Sequence, residues 1–403
     1  MISKVCFFFI GLLISEFCEI LTIPVVIRYI SNGCLKQKYH ANFAVLLSFL
    51  TLYYTLGALN GFFTFFVAIK LILSNILFYV IGVSAVNETI KYGNNSFNPM
   101  IVAFACGMFL HAMLNIIESN GMNIFYMSRM TLYITDFFTK SITLSTYQST
   151  LMVMSTALGI YYIYFKSKLF KIFGFIIIFL EAYVSFVVGS RSVIAIIVAT
   201  VMITMGISFF SRETKQSTRF RIFLATSIIF IVAFFTYELN LFQIKDTLDN
   251  TYLLKRFTLP GSKESSFLDM SSRFIYFNEL FKQLPSHLTG GIHLTAGASA
   301  HNVFLDVIRI SGLLPAIFFL VFFITVILHL LQLNGRYGIY NPDMMLISIE
   351  MLCIMMIMMV ESVFSVNRNL MYAFMFICGN IDQLFLNINA NNNYNYVFRK
   401  ARI

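Results

Sequence analysis

Apolar runs of roughly 18 or more residues recur along nearly the whole chain, separated by short polar turns. Each is the length that crosses a hydrocarbon layer of ~30 Å as a helix. A water-soluble fold has no use for so many such runs, because only one face of each helix can be buried against a core. The composition of the 403 residues agrees: 59% are hydrophobic and 11% charged, with 46 Phe, 21 Met and no Trp. The expected fold class is an all-α polytopic integral membrane protein with about 11–12 transmembrane helices. The candidate spans are 5–27, 41–58, 62–86, 98–117, 142–165, 169–188, 192–210, 221–238, 303–331, 343–362 and 369–388. The stretch 122–138, broken by Arg129 and Asp136, is either a further span or an interfacial helix.

Orientation follows from basic residues in the short turns. Lys166, Lys168 and Lys171, then Arg212, Lys215, Arg219 and Arg221, then Arg399, Lys400 and Arg402 mark cytoplasmic segments. The turn at Gly189-Ser190-Arg191, the link near Asn367-Arg368 and the long polar interval 239–302 then fall on the outer face. Arg28, Lys36 and Lys38 favour a cytoplasmic first loop. The net charge of +10 is accordingly a topology signal, not a sign of nucleic-acid binding. The organisation reads as helices over 1–238, a periplasmic loop over 239–302, three last spans over 303–388 and a cytoplasmic tail over 389–403. The opening residues place Lys4 before an apolar run like a signal peptide. Glu16 and Glu19 occupy the place of a small-residue cleavage site, so a retained first span is expected.

The polar loop concentrates the titratable groups outside the spans. Arg191, in the turn VVGSRSV, stands at a helix start where free N–H groups and a guanidinium converge on an anion, unless it only snorkels to headgroups. Arg273, in DMSSRFIYFNEL, opens an amphipathic helix with Phe274, Phe277 and Phe281 at helical spacing, fit to lie on lipid or to pack on the spans. Arg256 and Lys263 add charge. Asp246, Asp249, Glu264, Asp269 and Glu279 nearly cancel it, so an anion site must come from particular side chains. His301 precedes Asn302, an expected N-cap of the helix VFLDVIRISGLL, at the membrane surface. His287 and His293 lack such an anchor.

Ionisable residues inside spans are costly and need partners or a cavity. Glu350 and Glu361, eleven residues apart, are expected on one helix face, as are Glu16 and Glu19. With Lys70, Glu181 and Asp382 they would pair between helices or line a cavity. Cys6, Cys18, Cys34, Cys106, Cys353 and Cys378 show no metal-ligand spacing. No Walker sequence, H-E-x-x-H, Cys/His cluster or D-x-D pair occurs, so neither metal nor cofactor is expected.

Arg256-Phe257, Asp269-x-Ser-Ser-Arg273, Pro285, Gly290-Gly291, His301-Asn302-x-x-Leu305 and Gly312-Leu313, placed after a long outer loop, resemble the signature region of bacterial O-antigen polymerases of the Wzy type and of O-antigen ligases. Leu314-Pro315 departs from the usual pattern, where a Gly is common. The resemblance implies an inner-membrane glycosyltransferase working at the periplasmic face. It would transfer a growing glycan, with inversion and without metal, from undecaprenyl pyrophosphate to a new lipid-linked repeat unit, alongside a chain-length regulator protein. Arg191 and Arg273 would hold the donor diphosphate, with Arg256, Lys263 and Asn302 assisting. His301 would lie at the diphosphate or orient the acceptor, and Asp269, Glu279 or Asp306 would be the base, if one is used. The ligase reading differs in its acceptor, lipid A core. A flippase or other transporter would show pseudo-repeats and short outer loops instead.

Overall fold

The computed structural model describes residues 2–13, 18–35, 40–93, 97–118, 145–188, 191–210, 270–294, 302–337, 341–361, 364 and 368–390. All regular structure among them is helical: α1 (Ile2–Leu12), α2 (Ile23–Ser31), α3 (Asn42–Leu59), α4 (Phe65–Tyr92), α5 (Phe97–Glu118), α6 (Ser145–Phe165), α7 (Lys168–Val188), α8 (Arg191–Phe210), α9 (Met270–Gln283), α10 (Val303–Ser311), α11 (Leu313–Tyr337), α12 (Pro342–Val360) and α13 (Arg368–Ala390). Six of them, α3, α4, α5, α11, α12 and α13, are long and apolar enough to cross a membrane. At 21, 21 and 20 residues, α6, α7 and α8 have the same reach. The expected stretches 122–138 and 221–238 lie outside the described residues.

The bundle carries its polarity inside. Phe66 is 78% and Phe179 71% exposed, whereas Asn75, Ser84, Glu88, Glu181, Asn380 and Asp382 are buried. That inversion suits a solvent of acyl chains, in which polar side chains must find each other between helices. Close approach depends on small residues. A Cβ on Gly82 would strike the carbonyl of Phe376, and one on Gly379 the carbonyl of Tyr79, so α4 and α13 touch backbone to backbone. Gly11 and Gly107 do the same for α1 and α5.

The order of the ends can be read from contacts. Asn98, at the start of α5, donates to Asp343, at the start of α12, over 2.6 Å. Tyr161, near the end of α6, lies in electrostatic range of the same carboxylate. Antiparallel to α6 runs α7, with Ser155 and Thr156 donating to Glu181 and Tyr162 facing Phe170. The end of α12 and the start of α8 therefore share one end of the bundle.

Two expected spans are corrected. The run 5–27 is not one helix. Ser3 in α1 and Arg28 in α2 meet at 3.2 Å, so the two helices form a hairpin that returns to the end from which it starts. Its bend region is held by Glu19, whose carboxylate accepts from Ser74 (3.1 Å) and Tyr372 (2.7 Å), with Lys70 3.8 Å away. Pro24 then opens α2 at a position where its missing N–H costs nothing. The run 303–331 is broken at Gly312, whose φ of 89° ends α10 before α11 begins. Glu350 and Glu361 do not share a helix face either, since α12 ends at Val360 and Glu361 is extended.

Gly379→Leu forces α4 and α13 apart, with an expected loss of about 1–3 kcal/mol or more. Gly206→Leu, where an added Cβ meets nothing within 4 Å, is the matched control. Thermal unfolding of the detergent-solubilised protein should separate the two by several degrees, and equal midpoints would contradict the packing.

Candidate functional site

The polar loop returns to the bundle at Leu288–Leu294 and closes the gap left by Gly312. Ile292 N–H donates to the Arg309 carbonyl (3.1 Å), and Leu313 N–H to the Leu288 carbonyl (3.0 Å). Asn60, just past α3, spends both amide hydrogens on the loop and the helix end: one bond goes to Thr289 O (2.9 Å) and one to Ile310 O (2.8 Å). The terminal carbonyls of α10, which have no partner within the helix, are met in this way. Only glycine fits the crossing. A Cβ on Gly290 would collide with Ile310 O, Ser311 N and Gly312 N, and its φ is 86°.

At its other end α10 starts as the sequence implies. Asn302 is the N-cap, its Oδ1 accepting from Phe304 N–H (3.0 Å) and Leu305 N–H (3.2 Å). Its Nδ2 reaches the Met359 carbonyl in the last turn of α12 (3.1 Å). One side chain thus serves the N-terminus of one helix and the C-terminus of another, locking α10 over the end of α12. From below, Phe304 packs on Phe319 at 5.0 Å between ring centroids, and Phe319 on Phe49 of α3 at 4.9 Å.

Within α10, Asp306 and Arg309 form an ion pair of 2.9 Å, at 2% and 7% exposure. The Arg309 guanidinium sits 4.9 Å from the Phe62 ring centre, and His293 stacks on that ring at 4.8 Å. Asp306 therefore belongs to a buried structural pair and is not placed to accept a proton from an acceptor hydroxyl. Helix α9 rests on the same platform: Leu280 is buried with Ile292 and Leu294, and Tyr276, Leu305 and Ile308 pack against them. Its apolar contact runs through Tyr276 and Leu280, while Phe281, of the expected Phe stripe, is exposed.

No protein-family model matches the chain, and no curated protein matches it. The site is thus read from its geometry alone. Arg191 is the first residue of α8 and Arg273 lies in the first turn of α9. The ordering of ends above puts the start of α8 on the side where Asn302 meets α12, and α9 packs against α10 there. His301, Arg256, Lys263 and Asp269 lie outside the described residues.

Sequence spacing missed two groups. Asn60, Phe62 and Arg309 assemble from distant stretches, although Asp306 and Arg309, three apart in an apolar helix, signal a local pair. At the opposite end of α3, about 27 Å away by helical rise, His40, His329 and Asp382 converge. Burial lowers the His40 pKa below the ordinary imidazole value; Asp382 opposes the shift and His329 adds to it.

Asn60→Ala strips a donor from two carbonyls at once and is expected to cost about 1–3 kcal/mol. The variant should unfold at lower temperature in detergent, with faster proteolysis within 284–302. Unchanged stability and cleavage would mean that water replaces the amide at no cost.

Proposed function

We propose that this chain is a membrane glycosyltransferase of the O-antigen polymerase type. It moves a growing glycan from undecaprenyl pyrophosphate to a new lipid-linked repeat unit at the periplasmic face of the bacterial inner membrane. The observation that supports this most is the head of α10. Asn302, the residue after His301 in sequence, fixes that helix start to the end of α12, on the end of the bundle where α8 opens with Arg191 and α9 carries Arg273.

Helix starts with adjacent cations suit a lipid diphosphate. Unpaired N–H groups and the positive end of the helix dipole favour anions, and guanidinium forks match phosphate oxygens. Pyrophosphate is already a good leaving group, so the transfer needs charge neutralisation and alignment more than acid catalysis. In this reading Arg191 and Arg273 grip the diphosphate, Arg256, Lys263 and Asn302 support it, and His301 orients the acceptor or contacts the same group. The apolar exterior and the polar segment Leu288–Leu294 lying on the bundle fit a substrate that is half lipid and half sugar.

Arg273→Ala and His301→Ala are each expected to lower polymerisation by about 10²–10³-fold, the usual effect of losing one transition-state contact. Arg273→Lys, which keeps the charge and loses the fork, should recover only part of it. The readout is the ladder of glycan lengths at equal membrane protein level. A normal ladder in both alanine variants removes these residues from the site, and unattached long polymer in a null strain shifts the reaction to ligation.

A further inference from the structure

We propose that His40, His329 and Asp382 form a binding site for a divalent transition-metal ion of the zinc class, clamping the start of α3 to α11 and α13 at the end of the bundle away from the loop. The three residues each offer a ligand atom, and those atoms lie within 4.8 Å of one another. Two imidazoles and one carboxylate are a familiar donor set for zinc, cobalt and nickel, whereas calcium and magnesium prefer oxygen alone.

The donors are held before any ion arrives. Asp382 presents Oδ2 to Asn42 Nδ2 (3.0 Å) and to the Tyr79 hydroxyl (2.7 Å), while Oδ1 takes His329 Nδ1 at 2.7 Å. Two donors on the far oxygen orient the near one, as outer partners do around known metal ligands. The His329 ring is fixed by stacking on Phe385 at 3.9 Å, and the His40 ring stands edge-on to it at 4.5 Å.

Metal–nitrogen and metal–oxygen bonds of about 2.0–2.2 Å place tetrahedral ligands roughly 3.3 Å apart. At 2.7 Å, His329 Nδ1 and Asp382 Oδ1 must open to that spacing and give up their hydrogen bond, while the wider ligand separations, up to 4.8 Å, must close, and His40 is the residue best placed to move. It precedes α3, is half-buried, and its Nδ1 accepts the Asn42 amide at 3.1 Å. Both rings bind as neutral imidazoles with the proton on the nitrogen opposite the ion; His40 exchanges its capping bond for the metal. Its partial exposure supplies the access path and leaves a fourth position for water.

This inference does not rest on the proposed function and has its own test. The full-length protein, stripped with chelator in detergent, is titrated with Co(II) and followed by visible absorption and thermal unfolding. One equivalent should bind with the intense bands of a four-coordinate ion and raise the unfolding temperature. His40→Ala and His329→Ala should abolish that spectrum, and Tyr79→Phe should weaken binding by about tenfold. His287→Ala, an exposed histidine at the other end, should bind as the parent does. Failure of the folded parent to bind stoichiometrically overturns the site. So does unchanged affinity in folded His40→Ala, the variant least apt to disturb the bundle, and the trio would then be a hydrogen-bonded lock alone.

Discussion

A helix that stops inside an apolar bundle leaves carbonyl groups with nothing to bind, and that constraint organises the loop end of this protein. The end of α10 is tolerated because the Ile292 amide and the Asn60 side chain take up the carbonyls of Arg309 and Ile310. Once those bonds exist, the loop must run beside the helix, and Gly290 and Gly312 must lack side chains. The same closure carries the Asp306–Arg309 pair against Phe62 and brings α9 down onto Leu305 and Ile308. In hydrocarbon each unmet group would cost several kcal/mol. Broken helices survive there only where protein supplies the partners.

The N-terminal hairpin obeys the same rule by a different device. A carboxylate halfway across would be expelled from a plain span, but Glu19 is surrounded by Ser74, Tyr372 and Lys70. Arg28, shared between Glu88 and Ser3, closes the returning arm. Of the two roles open to the ionisable residues in the sequence, pairing between helices is the one Asp382 fills, and Glu88 of α4, not singled out there, does the same for Arg28. Glu350 is different. It is fully buried with no hydrogen-bond partner among the described residues.

Much of the architecture was legible in the sequence because apolar length is a local quantity. The helices near 41–58, 98–117, 343–362 and 369–388 appear within a few residues of their expected bounds. Asn302 was legible as a cap for the same reason: capping involves the next three residues only. The breaks near Glu19 and at Gly312 were not, since hydropathy averages over a break. The partners that permit them, Tyr372 and Asn60, are hundreds of positions away from the residues they serve. Asn60, Arg309 and the trio of His40, His329 and Asp382 escaped for that reason too; no short spacing links them.

Amino-acid order alone determined that this chain belongs in lipid, where its apolar helices run and which helix starts carry cations, because each follows from neighbours along the chain. Folding in three dimensions decided which runs cross and which turn back, where a helix may end, and which histidines and carboxylates meet. The physical reason is that buried polar groups must be satisfied, and in a membrane bundle their partners come from other helices.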